Sequence, residues 1–245
     1  MDDIPQEFTL NGAVSYWNVD RDNVLTLRSL FAFLQEAAIK HADKCGAGAH
    51  AKETRGESWV LHRMAVRIHR YPRYEEPLTV STWSSGIRAF KGFRDFRVRC
   101  GDELVASASS VWLYLSLATK AVCRVPREIA AGFPTRPADV FCGDLERMKL
   151  ESPADGAPAR EITVRYSDFD ANDHVNNTVY FDYLQTALAA GGLPPRPGLL
   201  KVEFLREIPL SVETVTLALE RRGEAAAFSL GRPGGLFARG LAECG

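Results

Sequence analysis

Residues 165–190 read RYSDFDANDHVNNTVYFDYLQTALAA, and the fold turns on how this stretch is parsed. Val164 and Tyr166 alternate with Arg165 and Ser167, the period of two of a half-buried strand. Seven of the ten residues from Asp168 to Asn177 carry Asp, Asn or His side chains. Such side chains bond to nearby backbone and favour turns and helix starts. Asn177, or its neighbour Asn176, is suited to cap the helix that follows. Tyr180, Leu184, Ala187 and Leu188 then share one helical face, and Gly191-Gly192 ends the run. The spacing predicts a strand over 161–167, a polar elbow, and a helix over 177–190.

An elbow of this composition offers chemistry. Asp170, Asn172 and His174 are spaced by two, so an extended segment projects them to one side. The free N–H groups of the following helix point back at that segment and stabilise negative charge, an oxyanion included. A carboxylate, an amide, an imidazole and an oxyanion donor together suit acyl transfer to water. A polar turn that only caps a helix is the competing reading for any one of these residues. Seven polar residues in ten are more than such a turn uses.

The stretch DFDANDHVNN with its aromatic-rich helix resembles the hotdog-fold thioesterases. YSDFDANDHVNN is similar to the second-half motif of the plant and bacterial fatty acyl-acyl carrier protein thioesterases. The resemblance extends to LQEAAIKH at 34–41, to RYP at 70–72 and to ASSVW at 108–112. It implies an α+β fold, a tandem (double) hotdog in which each unit is a long helix wrapped by an antiparallel sheet.

The rest of the chain is consistent with that plan. Leu27, Leu30, Phe31, Leu34, Ala38, His41 and Cys45 recur at helical spacing, with Thr26 placed to cap the start and Gly46 the end. A strand is expected over Phe8–Trp17 and a loop over 46–57. Strands follow over Trp59–Arg70, Leu78–Ser84, Phe93–Cys100 and Leu104–Leu115. Pro126, Pro134, Pro137, Pro153 and Pro158 punctuate a linker over 124–160. After the second helix come strands over Leu200–Ile208, Val212–Arg221, Ala225–Leu230 and Leu236–Glu243. No residue-level repeat is evident between the halves, but the element order is the same. The boundaries are therefore an N-terminal hotdog over 1–123 for the acyl chain, the linker, and a catalytic hotdog over 161–245.

Val202, Phe204 and Ile208 alternate towards one face of the expected strand, with Glu203 and Glu207 on the other. From spacing alone, Glu207 reads equally as an exposed strand-end carboxylate and as a functional one. The resemblance implies that Glu207 is the catalytic glutamate. A cysteine follows that glutamate in well-known plant members, and Ile208 stands there in this chain. The implied site is Asp170, Asn172, His174 and Glu207. Glu207 activates or positions a water, Asn172 orients it or contacts the carbonyl, and Asp170 and His174 hold Asn172 and share the proton traffic. No metal or organic cofactor is implied.

The implied activity is release of free fatty acid from acyl carrier protein, which ends chain elongation. Phe31, Leu34, Met64, Val66 and Trp112 are candidates to line the acyl tunnel. The acidic carrier would meet basic rows, Arg63, Arg67 and His69 on one strand and Arg94, Arg97 and Arg99 on another. An acyl-CoA thioesterase of the same superfamily is the alternative, followed by a non-catalytic acyl-binding module and a dehydratase.

The chain has 245 residues, a net charge of −1, 46% hydrophobic and 25% charged residues, values of an ordinary water-exposed globular chain. They give no reason to expect nucleic acid or membrane insertion as partners. No apolar run approaches the roughly 20 residues of a membrane helix. The five cysteines, Cys45, Cys100, Cys123, Cys142 and Cys244, are scattered without a CxxC pair, which fits a reducing compartment. The acidic start MDDIPQEFTL reads as neither a signal nor a transit peptide, so a bacterial form in the cytoplasm is expected. A homodimer is compatible with this reading.

Overall fold

Leu27–Lys44 forms an 18-residue helix, α1, because its start and its apolar stripe agree. The Thr26 hydroxyl accepts a hydrogen bond from the Ser29 N–H, and Leu27, Leu30, Phe31, Leu34, Ala38 and His41 all point inward. Gly46 takes φ of +69°, the left-handed turn that ends the run. The computed structural model describes residues 5–139 and 144–244. The first four residues of the N-terminal reading, and Cys142 with its neighbours in the expected linker, lie outside the described residues.

Before α1 lies β1 (Phe8–Ala13). After it come α2 (Ala49–Arg55), β2 (Glu57–Ile68), β3 (Pro77–Arg88), β4 (Lys91–Cys100), β5 (Glu103–Ser116) and α3 (Arg127–Ala131). The second half holds β6 (Ala159–Thr163), α4 (Val179–Ala190), β7 (Leu199–Phe204), β8 (Thr214–Arg222), β9 (Ala225–Arg232) and β10 (Gly235–Glu243). One ten-stranded sheet runs in the order β1-β3-β4-β5-β2-β7-β10-β9-β8-β6, and its strand pairings are antiparallel. Both long helices cover one face. They meet at Phe31 and Phe181, whose rings stack 3.5 Å apart between centroids. Full burial of such side chains stabilises the fold by about 1.5–3 kcal/mol each.

Several expectations are corrected. The loop expected over 46–57 contains α2, whose Ala, Lys, Glu and Arg residues are good helix formers between Gly48 and Gly56. The strands expected over Phe8–Trp17 and 161–167 stop early, at Ala13 and Thr163, and 3-10 turns over Tyr16–Asn18 and Tyr166–Asp168 follow. A bulge in β2 between Leu61 and Arg63 shifts its alternation, so Leu61 joins Met64 and Val66 on the helix side. The basic rows do not form a free patch. Arg94 is buried on the helix side, two-residue alternation puts Arg97 and Arg99 on the other, and Arg97 pairs with Asp139. Arg63 is held in ion pairs and by the Leu145 and Glu146 carbonyls.

With the helices in register, the halves do show a repeat, at a constant offset of 150 residues. Val14/Val164, Tyr16/Tyr166, Asp20/Asp170, Phe31/Phe181, Leu34/Leu184, Gln35/Gln185 and Ala37/Ala187 are among its identities. The elbow geometry repeats with it. The Asp20 N–H bonds the Val24 carbonyl as the Asp170 N–H bonds that of His174, and Asn23 and Asp173 both take positive φ, near +60°. Polar side chains that differ in type make the same local bonds, which is why the letters alone conceal the repeat.

His41 illustrates the cost of a polar group inside this core. Its Nδ1 accepts from Arg94 Nη1 at 2.8 Å. Burial, reinforced by the Arg94 charge, pushes its pKa from 6.5 down to about 4. The unfolded chain therefore takes up a proton that the folded chain refuses, and stability falls as pH drops from 6.5 towards 4. The loss from this one group is on the order of 3 kcal/mol. Urea unfolding of wild type and His41→Gln at pH 7.5 and 4.5 should show a shallower loss in the variant. Equal losses would refute the assignment.

Candidate active site

The second elbow is built by its own acids. Asp168 is buried. Its carboxylate accepts from the Arg165 N–H at 2.9 Å and from the Tyr183 hydroxyl at 2.6 Å. Burial alone would raise its pKa, but hydrogen bonds from Tyr183 and Arg165, with the Arg165 charge, hold it below the usual range. Asp170 accepts from the Asn172 N–H at 2.8 Å and from Asn176 Nδ2 at 3.4 Å. Asn176 is the capping side chain: its Oδ1 accepts from the N–H and the hydroxyl of Thr178 at 2.9 and 2.8 Å.

The segment from Asp170 to His174 is a tight turn, not the extended piece expected. Asp170, Asn172 and His174 therefore do not project as one row. Asp170 turns inward to brace the elbow. Asn172 is exposed, and its Oδ1 meets Lys52 Nζ, from α2 of the first half. His174 Nε2 lies 3.0 Å from Glu207 Oε2.

Glu207 is not on a strand. β7 ends at Phe204, and Glu207 lies in the connection that brings Pro209 to bridge with His174. Its carboxylate is clamped from the first half by Lys120 Nζ, 3.2 and 3.1 Å from its two oxygens. Ile208 is fully buried in the core, and its carbonyl accepts from the Val175 N–H at 2.9 Å. That position supplies backbone to the elbow and no reactive group.

Beside the elbow a small apolar cavity, partly open to solvent, lies between the helices and the sheet. Of the residues named as candidates for an acyl tunnel, Phe31, Leu34, Met64 and Trp112 border this cavity and Val66 does not. Gln35, Asn177 and Thr178 are its polar members. Asn176 is the helix cap that the sequence offered beside Asn177, whereas Lys52, Lys120 and Gln35 are neighbours of the candidate site that the sequence reading does not single out. The two lysines carried no local signal, since each reaches the site from more than 80 residues away.

The architecture defines an α+β protein of the hotdog fold. It superimposes on the 12:0-ACP thioesterase from Umbellularia californica with a TM-score of 0.84 at 22% identity, covering 98% of this chain and 97% of that one. An acyl-ACP thioesterase from Bacteroides thetaiotaomicron gives 0.82 at 20% identity, with 97% of each covered. Residues 5–133 match the acyl-ACP thioesterase N-terminal domain and residues 151–221 the C-terminal domain. The chain belongs to the acyl-ACP thioesterase family. A palmitoyl-acyl carrier protein thioesterase of Gossypium hirsutum is 27% identical over 189 residues, 72% of this chain and 46% of that protein. A dodecanoyl-[acyl-carrier-protein] hydrolase of Cinnamomum camphora is 28% identical over 185 residues, 70% and 48% respectively. The chain thus spans about half the length of the curated relatives it matches. Among the described residues, no helix is long and apolar enough to cross a membrane.

Proposed function

We propose that this protein hydrolyses fatty acyl thioesters of acyl carrier protein, releasing free fatty acid and ending chain elongation. The observation that carries the reading is the His174–Glu207 pair, 3.0 Å apart, at the elbow whose helix opens onto an apolar cavity. Family membership supports the carrier.

Glu207, oriented by His174 and Lys120, takes a proton from water as its oxygen bonds to the carbonyl carbon. The π pair of the carbonyl moves onto oxygen. When the pair returns, the C–S bond breaks and the thiolate leaves with the proton. Asn172 orients the water or the carbonyl, and Asp170 holds the turn that presents it. The buried Ile208 side chain favours direct attack by water over a thiol nucleophile. No cofactor is used.

The proposed organisation is a tandem hotdog, with an acyl-binding unit over 1–123, a linker over 124–160 and a catalytic unit over 161–245. The 150-residue offset and the mirror-like strand order about β2 and β7 support it. Free thiols at Cys45, Cys100, Cys123 and Cys244 support a reducing, cytoplasmic setting. Self-association as a homodimer is part of the same proposal.

Hydrolysis of acyl-carrier-protein thioesters of graded length, beside the matching CoA thioesters, tests the reading. A kcat/KM at least tenfold higher for the carrier protein is expected. Preference for CoA would instead make this an acyl-CoA thioesterase. Turnover of neither, with acyl binding retained, would leave a binding module.

A further inference from the structure

The two halves part company at one hydrogen bond. In the first half the N–H of Leu27, the first residue of α1, donates to Oε1 of Gln185 on α4 at 3.2 Å. Gln185 lies 150 residues after Gln35, and Asn177 lies 150 after Leu27. A faithful repeat would have Gln35 Oε1 accept from the Asn177 N–H. That bond is not made. Among the described residues the Asn177 N–H has no acceptor and the Gln35 amide has no partner. Both groups line the apolar cavity, together with Thr178.

General divergence does not account for the difference. Phe31 and Phe181, four residues before the two glutamines, stack on each other across the junction. The local two-fold relation therefore holds up to these residues. The other differences fall at matching places. Val24 stands at the offset of His174. Pro72 accepts from the Leu25 N–H as Ile208 accepts from the Val175 N–H, so Tyr71 stands where Glu207 does. In the first half the helix start is plugged and the acid–base pair is missing. In the second the pair is present and the helix start is open.

We propose that Gln35 is a catalytic residue contributed by the first half. Its amide Nε2 donates to the thioester carbonyl oxygen alongside the Asn177 N–H, and the two donors form the oxyanion site. The inference rests on the thioester-hydrolase reading above. A neutral amide suits the place. It adds no charge to be desolvated in a cavity walled by Phe31, Leu34 and Phe181, and low polarity strengthens a donor aimed at developing negative charge. As water adds, the carbonyl π pair moves onto the oxygen that these donors hold. As the C–S bond breaks, the pair returns and the donors relax to an ordinary carbonyl. The same geometry gives one site per chain, because Gln185 occupies the other helix start.

The test compares Gln35→Leu with Gln185→Leu, its counterpart outside the site. Each is assayed for kcat and KM on the acyl thioester that wild type turns over fastest, and for Tm. Gln35→Leu should lose roughly 10²–10³-fold in kcat, with KM within about threefold and Tm nearly unchanged. Gln185→Leu should lower Tm and keep kcat within about threefold. If Gln35→Leu keeps wild-type kcat, or loses only Tm as a capping residue would, the proposal is wrong. A wild type that hydrolyses no acyl thioester overturns the hydrolase reading and this assignment with it.

Discussion

Replacing Glu207 by alanine is expected to lower kcat for acyl-thioester hydrolysis by roughly 10²–10⁴-fold, the range for losing a positioned general base. His174→Ala should fall in the same range, because His174 Nε2 sits 3.0 Å from the carboxylate and orients it. The double variant should be little worse than either single one, since groups that act as a unit lose their effect together. Folding should be nearly unaffected. Both side chains are partly exposed, and such an ion pair contributes on the order of 1 kcal/mol at most. Steady-state kinetics with thermal unfolding as control would decide. Multiplicative losses in the double variant would show that the two residues act separately. Unchanged kcat in Glu207→Ala would remove the glutamate from the mechanism.

The largest effect on stability is expected at Glu203, where the halves join. β2 and β7 pair at Arg63 and Glu203, and β7 and β10 pair at Glu203 and Arg239. The three side chains sit side by side on the face away from the helices. Glu203 Oε1 accepts from Arg63 Nη2 at 2.5 Å and Oε2 from Arg239 Nε at 2.7 Å. The carboxylate is 3% exposed, so a partner removed is not replaced by bulk water. Burial works against its ionised form, but hydrogen bonds from Arg239 and Arg63 and their charges outweigh it and hold the pKa below the usual range. Glu203→Ala leaves two guanidinium groups facing each other without an anion. A loss of about 3–5 kcal/mol is expected, whereas replacing all three by apolar residues of similar volume should cost less. Urea denaturation of the single and triple variants would test this. A loss below about 1 kcal/mol in Glu203→Ala would mean that the ion group contributes little.

Local features of the fold were legible because local bonds create them. Thr26, the apolar stripe of α1 and Gly46 each agree on one helix, and Arg232-Pro233-Gly234-Gly235 reads directly as the turn between β9 and β10. The elbow was legible as an elbow for the same reason. Its side-chain directions were not, because Asp173 at positive φ turns a segment that alternation treats as straight. The resemblance singled out Glu207 at the end of an expected strand, yet its contacts with His174 and Lys120 are made from an irregular connection after β7. The bulge in β2 moved Leu61 to the cavity side, and no residue type marks such a bulge. Lys52 and Lys120 depend on contacts between distant elements, which spacing does not encode. The paired glutamines were visible as letters, but their meaning needs the helix register that relates them.

The seam between β2 and β7 also sets an order of events during synthesis. Arg63 and Glu203 are 140 residues apart, so at about 5–20 residues per second β2 emerges roughly 7–30 s before the strand that covers it. A first-half sheet formed in that interval ends at β2, with a row of unpaired N–H and C=O groups and the apolar side chains of Met64, Val66 and Ile68 on one face. An open strand of this kind invites pairing with another nascent chain. The hazard in making this protein is therefore one of timing, and it falls on the central strand of the finished sheet, which is among its best protected parts once synthesis is complete.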